Sequence, residues 1–487
     1  MSMKPTSNWL EFHARFRPQA EALYDVSTGK RWTYAALYRD SLRWAARLRA
    51  EGVEKGDRVA LLAHNRGETF AVLFACAELG AALVMLNWRL SPAELRWQVE
   101  HCTPKVVLAD GANLHVLGGV RLDEEPGDAT FVGPGSALSD TWVIMYTSGS
   151  TGRPKGAMLT HDQLHWNALN TILACDLTPK DATLTFTPLF HTGGLNCLST
   201  PLLHRGGRVV LTRGFDADES LQVIVQERVT TLMGVPTIFQ MLADHPGFDG
   251  ADLSSVRDAL VGGSALPMPL LHRYRARNIP LRQGFGMTEV GPNCFSLPPD
   301  MIDVKAGTVG MAIPHVAAKI VRPDGTECDV DEPGELLLSG PSVCAGYWDD
   351  PGATAKAIRD GWFHTGDQLS RDADGYFRVR GRIKEMYKSG GENVYPPEVE
   401  AAIAEVEGVA QVCVLGVPDA RWGEVGLAFV EPSPGRVVTV EQVRASLEGR
   451  LARFKIPKHI RILPLLPKTA SGKIDRTALK TLVEFPA

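Results

Sequence analysis

A loop rich in glycine and hydroxyl side chains, residues 146–156 with the sequence YTSGSTGRPKG, is the segment best suited to chemistry. Glycine lets backbone N–H groups converge on an anion without Cβ clashes, and rotating Ser and Thr hydroxyls add further donors. A Walker loop needs a lysine directly before a magnesium-binding Ser or Thr. Here Lys155 follows a proline and precedes Gly156, so the segment is not a Walker loop. Its apolar flanks on both sides favour a phosphate-binding loop over a simple turn.

Alternating apolar segments predict the elements that position this loop. A buried apolar helix is expected at residues 68–79, ended by Gly80, and Ser91, Pro92 and Glu94 form the capping-box pattern of a second helix. Repeated βαβ units of this kind predict an α/β fold of doubly wound sheets, with ligands at the carboxyl ends of the strands. Buried strands are predicted at residues 59–62, 82–86, 105–109, 208–211 and 258–261.

The last third of the chain changes character. Residues 310–379 are rich in strands and turns and predict a small β subdomain. A compact α+β region is expected after Lys384, with a capping box at Thr439 and Gln442. Its two helices are predicted from the apolar spacing of Val399, Ala402, Ile403 and Val406, and of Val440, Val443, Leu447 and Leu451.

Size and composition bound the function. A chain of 487 residues and 52.9 kDa exceeds the size of a single hydrophobic core, so at least two domains are expected. A net charge of −5 excludes a general nucleic-acid or anionic-membrane binder. Eight scattered cysteines and the lack of an apolar leader predict a cytoplasmic protein. Residues 69–88 are apolar, but Glu78 and Gly80 interrupt them, so a buried helix and strand are expected rather than integral membrane association.

Residues 146–156 resemble the phosphate-binding signature of the adenylate-forming superfamily, which includes acyl-CoA synthetases, firefly luciferase and nonribosomal adenylation domains. The resemblance implies an AMP-binding domain, residues 1–384, and a mobile C-terminal domain, residues 385–487, that carries a catalytic lysine and a CoA loop. Five further segments resemble motifs of the superfamily: residues 188–194 (PLFHTGG), 284–289 (GFGMTE), 362–367 (WFHTGD), 386–396 (MYKSGGENVYP) and 467–476 (PKTASGKIDR).

The resemblance implies an ATP site with magnesium. It places adenine against Phe285, the α-phosphate or the substrate carboxylate near Thr288, and Mg²⁺ on Glu289. One protein carboxylate suffices because Mg²⁺ also takes phosphate and water oxygens. Asp367 can accept both ribose hydroxyls, and the donor fork of Arg382 suits the ribose and phosphate. The other implied ATP or AMP contacts are Thr147, Ser148, Gly149, Ser150, Thr151, Gly152, Lys155, Gly263, Ser264, Gly284, Gly286 and Met287.

The resemblance also implies an acyl pocket bordered by Phe190, His191, Gly262 and Gly286. Adenylation domains for amino acids place an aspartate near the first two positions to hold the substrate ammonium. Phe190 and His191 offer no such anion, which argues against an α-amino acid substrate. Fatty, succinylbenzoate-like and benzoate-like acids all stay open.

The fourth segment resembles the loop that carries the pantetheine arm of CoA in acyl-CoA synthetases, which implies CoA contacts at Lys388, Gly390 and Gly391. Adjacent glycines would let a thin chain pass against bare backbone. Trp422 and Phe454 fall where this branch places aromatic residues near the CoA nucleotide, although either could belong to the core. Glu385 matches the hinge, where the family usually has aspartate or lysine.

The implied catalytic residues are Lys473, Thr288, Glu289 and His191. A carboxylate that attacks the α-phosphate brings two anions together, so the Lys473 ammonium and Mg²⁺ are expected to neutralise them. Rotation of the C-terminal domain would then present the CoA loop. The resemblance therefore implies an ATP-dependent acid–CoA ligase for a fatty or aryl acid. A carrier protein stays open as the acceptor, whereas a luciferase-like enzyme and a non-catalytic nucleotide binder are disfavoured. The oligomeric state stays open.

Overall fold

The computed structural model describes residues 8–147, 154–389, 392–469 and 472–483, with the side chain of Asn393 excluded. Two mostly parallel sheets build the N-terminal part, and in each only the last strand runs antiparallel to its neighbour. The first sheet orders its strands Leu281–Gln283, Asp258–Val261, Thr231–Gly234, Ala182–Thr185, Arg208–Leu211, Glu21–Asp25 and Lys30–Thr33. The second orders Val120–Arg121, Val106–Ala109, Arg58–Leu62, Ala82–Leu86, Thr141–Thr147 and Lys155–Thr160. The predicted α/β fold is confirmed.

The buried helix Glu68–Leu79 confirms the prediction for residues 68–79, and Gly80 ends it in the left-handed conformation with φ 71°. Its Glu78 is buried but accepts hydrogen bonds from Asn8 Nδ2 at 2.5 Å and from the Gly133 N–H at 3.3 Å. Within the described ranges, no helix is long and apolar enough to cross a membrane. The other helices of this part are Trp9–Phe16, Tyr34–Ala50, Pro92–Cys102, Leu114–Leu117, His161–Ala174, Thr192–Gly194, Thr200–Arg205, Ala217–Gln226, Pro236–Asp244 and Met268–Arg275, with a π-helical turn at Leu195–Ser199.

Two small antiparallel sheets follow and confirm the β-rich region. One pairs Phe285–Met287, Gly291–Ser296 and Met311–Ala312. The other contains Ala317–Val321, Gly334–Ser339, Trp362–Arg371, Ile358–Arg359 and Phe377–Arg382. Short helices lie at Pro299–Met301 and Pro351–Ala357. Because Asp367 and Arg382 are directly paired across this second sheet, its register brings the two predicted ribose residues together.

The C-terminal region forms one sheet and its own small core. The strands are Glu392–Val394, Tyr387–Ser389, Gly423–Pro432, Val409–Asp419 and His459–Ile462, and the helices are Pro396–Ala404, Val440–Leu447, Arg453–Lys455 and Arg476–Thr481. The capping box at Thr439 and Gln442 is confirmed.

Each of the two predicted helices in this region included one apolar residue too many at its C-terminal end. Val406 and Leu451 lie beyond their helices, because Gly408 (φ 89°) and Gly449 (φ 77°) turn the chain there. All strands of this sheet follow residue 385. The domain boundary near Glu385 stays a prediction.

Candidate active site

A loop at the centre of the first sheet carries Phe190 and His191. The strand before it, Ala182–Thr185, lies between Arg208–Leu211 and Thr231–Gly234, so the chain continues first to one side of it and then to the other. Open α/β sheets bind ligands in the crevice that forms at such a reversal of strand order. We call residues 186–191 the switch-point loop.

His191 faces this crevice in a neutral form. Burial, and then the charges of Lys473 and Arg89, lower its pKa to about 4. Its Nε2 atom is buried and has no hydrogen-bond partner among the described residues. The Phe190 ring is buried and lies 4.6 Å from the His191 ring, measured between centroids. A neutral imidazole nitrogen without a partner can donate or accept one hydrogen bond with a ligand, depending on its tautomer.

Two residues that sequence reasoning missed line the same crevice. A Cβ atom built on Gly193 would lie 3.0 Å from Met233 Cε, and one built on Gly262 would lie 3.5 Å from it. Val235 Cγ1 lies 3.5 Å from the corresponding position at Gly263. Met233 and Val235 stand at the end of the strand Thr231–Gly234, which the sequence analysis did not predict. Their position at the carboxyl end of a central parallel strand was the available signal.

The predicted catalytic lysine reaches the crevice from the C-terminal region. Hydrogen bonds from the Thr469 N–H to the Lys473 carbonyl (2.7 Å) and from the Gly472 N–H to the Thr469 carbonyl (2.9 Å) form a tight turn. Lys473 Nζ lies 3.9 Å from the Cβ position of Gly263. Lys473 as a whole residue is exposed to water, and the charges of Arg382 and Asp367 act on its ammonium. Burial, and then Arg382, lower the pKa of Lys473, and Asp367 opposes them.

Asp367 and Arg382 form an ion pair beside this ammonium. Arg382 Nε lies 2.8 Å from Asp367 Oδ1, and the carboxylate is buried while the guanidinium is exposed. Burial raises the pKa of Asp367 to about 6, although the charge of Arg382 opposes this shift. A buried carboxylate with one fixed donor keeps acceptor capacity for further hydroxyl donors.

The phosphate loop begins next to Glu289. Thr147 and Lys155 are paired across the antiparallel strands Thr141–Thr147 and Lys155–Thr160. Between them, Ser148, Gly149, Ser150, Thr151 and Gly152 lie outside the described residues. Thr147 Oγ1 donates a hydrogen bond of 3.1 Å to Glu289 Oε1, which ties the start of the loop to the predicted magnesium ligand.

Tyr347, which the sequence did not single out, gives Glu289 a second partner. Its hydroxyl donates to the same Oε1 atom at 3.1 Å, and its ring centroid lies 5.0 Å from Lys155 Nζ. In the part of the chain that the structure describes, no bond to the other oxygen, Oε2, is present. This arrangement fits a Mg²⁺ site with one protein carboxylate, completed by phosphate and water oxygens.

The predicted adenine segment follows the strand next to Gly262 and Gly263. Gly284 donates its N–H to the Val261 carbonyl at 2.8 Å, and the half-buried Phe285 ring packs edge-on against Phe295 at 5.7 Å. A Cβ on Gly286 would lie 2.2 Å from the carbonyl carbon of Pro292, so only glycine fits there. Met287 and Thr288 are half-buried and Ser264 is exposed. Their ligand contacts stay predictions.

The predicted CoA residues lie together in the C-terminal region. Lys388 is on the strand Tyr387–Ser389, whose Ser389 pairs with Gly423, next to Trp422. Gly390 and Gly391 lie outside the described residues. Trp422 and Phe454 are exposed, which is against their alternative assignment to the core. Glu385 Oε2 lies 3.4 Å from Arg476 Nε, and its hinge function stays a prediction.

The chain is similar to known proteins over nearly its whole length. Residues 10–348 match the AMP-binding enzyme family, and residues 398–473 match the AMP-binding enzyme C-terminal domain. A feruloyl-CoA synthase from Amycolatopsis sp is 43% identical over 481 residues, covering 96% of each chain. An indoleacetate–CoA ligase from Aromatoleum aromaticum is 39% identical over 500 residues, covering 98% of each chain.

A solved structure has the same architecture. The o-succinylbenzoate CoA synthetase from Bacillus subtilis in complex with its acyl-adenylate intermediate superimposes with a TM-score of 0.89 at 32% identity, covering 97% of this chain and 98% of that one. The same enzyme is also solved in complex with ATP and magnesium ion, again with a TM-score of 0.89.

Proposed function

The chain belongs to the AMP-binding enzyme family as an ATP-dependent acid–CoA ligase, and we propose that its acid substrate carries an aromatic ring. The observation that carries this proposal is the lining of the crevice. Phe190, backed by the Trp88 ring at 6.4 Å, forms one side, while Met233 fills the space between Gly193 and Gly262. A ring can pack edge-on or offset against such aromatic walls. The relatives described above are named for feruloyl, indoleacetate and o-succinylbenzoate, each of which contains a ring.

We propose that Lys473 drives the first half-reaction. The acid carboxylate attacks the α-phosphate of ATP, a P–O bond forms, and pyrophosphate leaves. Lys473 lies between the switch-point loop and the Asp367–Arg382 pair, so its ammonium can neutralise both anions as they approach. A preorganised contact of this kind contributes roughly 3–4 kcal/mol to stabilising the transition state.

The nucleotide is held by separate groups in this scheme. Asp367 accepts the ribose hydroxyls, Arg382 contacts ribose and phosphate, and Thr147 and Lys155 flank the pyrophosphate. Glu289 would hold Mg²⁺, which neutralises charge on the phosphate oxygens when bound. His191 borders the acid, and its neutral ring avoids adding a second cation beside Lys473.

In the second half-reaction the CoA thiol attacks the acyl carbon, a C–S bond forms, and AMP leaves. Lys388, Trp422 and Phe454 are the residues we expect to meet CoA, after the region that follows Glu385 has rotated. A carrier protein is not favoured as the acceptor, since the similar relatives are CoA ligases. We also propose a cytoplasmic location, supported by eight free cysteines of which seven are buried.

A panel of acids tests the substrate class. Pyrophosphate release should be measured with ferulate, indoleacetate and benzoate, and with straight-chain fatty acids of similar carbon count. We expect kcat/KM for the best aromatic acid to exceed that of the best fatty acid by about tenfold or more, a typical discrimination by an apolar pocket. Equal or faster turnover of the fatty acids would contradict the proposal.

A pair of methionine variants adds a structural control. Met233→Ala should open the crevice and raise turnover of longer acids. Met241→Ala removes an exposed methionine on the nearby helix Pro236–Asp244 and should leave the preference unchanged.

A further inference from the structure

One buried side chain from the second sheet holds the switch-point loop in place. Asn65 lies between the strand Arg58–Leu62 and the helix Glu68–Leu79 and is only 5% exposed. Its Oδ1 accepts a hydrogen bond from the Leu189 N–H at 2.9 Å, and its Nδ2 donates to the Thr187 carbonyl at 3.0 Å. We propose that Asn65 is a positioning residue for the acid substrate, because it sets the backbone that carries Phe190 and His191.

The loop needs this support because its backbone has left the sheet. The preceding strand ends at Thr185, and among the described residues Thr187 and Leu189 pair with no neighbouring strand. Buried backbone N–H and C=O groups must find partners, and Pro188 between them has no N–H at all. The Asn65 side chain supplies one donor and one acceptor, and it bonds the carbonyl of Thr187 and the N–H of Leu189 as a residue of a neighbouring parallel strand would.

The opposite side of the loop is also fixed. A Cβ on Gly194 would lie 2.2 Å from the Pro188 carbonyl oxygen and 2.7 Å from the Thr187 carbonyl oxygen, so the loop rests directly on the backbone of the following helical turn. The His191 N–H donates to the Pro188 carbonyl at 3.1 Å and closes the turn. With Gly194 on one side and Asn65 on the other, the position of His191 depends on both contacts.

Asn65 is itself anchored. Two residues further on, the Gly67 N–H donates to Asp25 Oδ2 at 2.8 Å, which ties this connection to the first sheet. A Cβ on Gly67 would lie 2.5 Å from Trp32 Cη2, so the chain packs closely against a buried ring. The Asn65 amide is therefore presented from a fixed backbone, and its position is transmitted to the loop rather than the reverse.

The consequence is specific to the acid. His191 and Phe190 lie beside the crevice that receives the carboxylate, whereas Asp367 is on the strand Trp362–Arg371 and Glu289 is in a turn near Val290. Their ion pair and hydrogen bonds involve Arg382, Thr147 and Tyr347, and none of these residues belongs to the switch-point loop. A shift of about 1 Å in a positioned group can reduce a rate about a hundredfold. Loss of Asn65 should therefore impair use of the acid far more than use of ATP.

The first test is Asn65→Ala in the full-length enzyme, assayed with whichever acid the panel favours. We expect KM for the acid to rise about tenfold, as for loss of two buried hydrogen bonds, with KM for ATP changed less than about twofold. Asn170→Ala is the matched control, since Asn170 is also a buried asparagine and its Oδ1 is hydrogen-bonded to His315 instead. An equal rise in both KM values, or an unchanged acid KM in a folded variant, would overturn the proposal.

A second variant decides the question even if Asn65→Ala folds poorly. In Asn65→Asp, an ionised carboxylate keeps the bond from Leu189 but repels the Thr187 carbonyl, whereas a protonated carboxyl restores both bonds. Burial favours the protonated form as the pH falls. The ratio of acid KM values, variant over wild type, should fall as the pH is lowered, and a flat ratio would contradict the proposal. The proposal for Asn65 rests on the acid crevice of the proposed function, but it does not require the acid to be aromatic. The acid panel and the Asn65 variants can therefore fail independently of each other.

Discussion

The residues that we propose for the nucleotide and those that we propose for CoA lie in opposite environments. Asp367 and Glu289 are 5% and 8% exposed, and each is already bonded to a charged or hydroxyl partner. Trp422 and Phe454 are 46% and 37% exposed and lie beside cationic neighbours. Preorganised polar groups stabilise charge without rearrangement, whereas exposed rings are ready to pack on a partner. The difference supports the proposal that adenylation uses an assembled site and that thioester formation uses a surface brought to it by rotation of the C-terminal region.

The largest expected effect is that of Lys473→Ala on adenylation. Removal of the ammonium should lower the rate of acid-dependent pyrophosphate release by about a hundredfold to a thousandfold. Lys468→Ala is the matched control, since Lys468 is an exposed lysine of the same segment and should retain near wild-type activity. If both variants lost activity equally, the assignment of the catalytic amine to Lys473 would be wrong.

Asp367→Asn should give the next largest effect, on ATP. The variant loses an anionic acceptor for the ribose hydroxyls, so KM for ATP should rise about tenfold to a hundredfold with a smaller change for the acid. Wild-type kcat/KM for ATP should also fall below about pH 6, where Asp367 protonates, and its ratio to that of the variant should shrink there. A pH-independent ratio would contradict the ribose assignment.

The raised pKa of Asp367 also predicts how the free energy of unfolding changes with pH. Between about pH 4 and 6 the folded protein holds the Asp367 proton more tightly than the unfolded chain does. The ionised carboxylate therefore lowers the free energy of unfolding as the pH rises through this window, by on the order of 2–3 kcal/mol. In thermal unfolding, the melting temperature of Asp367→Asn minus that of wild type should increase from pH 4 to pH 6. A decrease over this range would contradict a pKa raised by burial.

Trp422→Ala tests the exposed side of the comparison. If the ring packs on the CoA nucleotide, its removal should raise KM for CoA about tenfold, a typical loss for one aromatic stacking partner, and leave adenylation unchanged. Val437→Ala, at an 82% exposed position in the same region, is the control. An adenylation defect of similar size would mean that Trp422 supports the fold rather than CoA.

The smallest effect is expected for Tyr347→Phe, which removes one hydroxyl from the preorganised side. Glu289 Oε1 keeps its bond from Thr147, so the Mg²⁺ concentration needed for half-maximal pyrophosphate release should rise only about twofold to tenfold. The readout is a magnesium titration at saturating ATP and acid. No change in that titration would show that Tyr347 does not position the carboxylate.

The sequence predicted the elements whose signals are local. Gly80 as the end of an apolar helix and the capping boxes at Ser91 and Thr439 follow from neighbouring residues, and the structure confirms them. Asp367 and Arg382 were named through the family resemblance, and their pairing across two strands was not predicted. Tyr347, Met233 and Asn65 were missed, because each contacts segments that are distant in the sequence. Contacts between segments that are distant in the sequence produce no periodic pattern, so a single sequence does not reveal them. The helix ends near Val406 and Leu451 were missed because glycine turns overrode an apolar pattern.

The most direct test of the central claim is a single-turnover measurement in which Lys473→Ala is given preformed acyl-adenylate and CoA. The account predicts thioester formation at a rate within about twofold of wild type, because the ammonium is required only while the two anions meet at the α-phosphate. A loss of thioester formation as large as the loss of adenylation would contradict it.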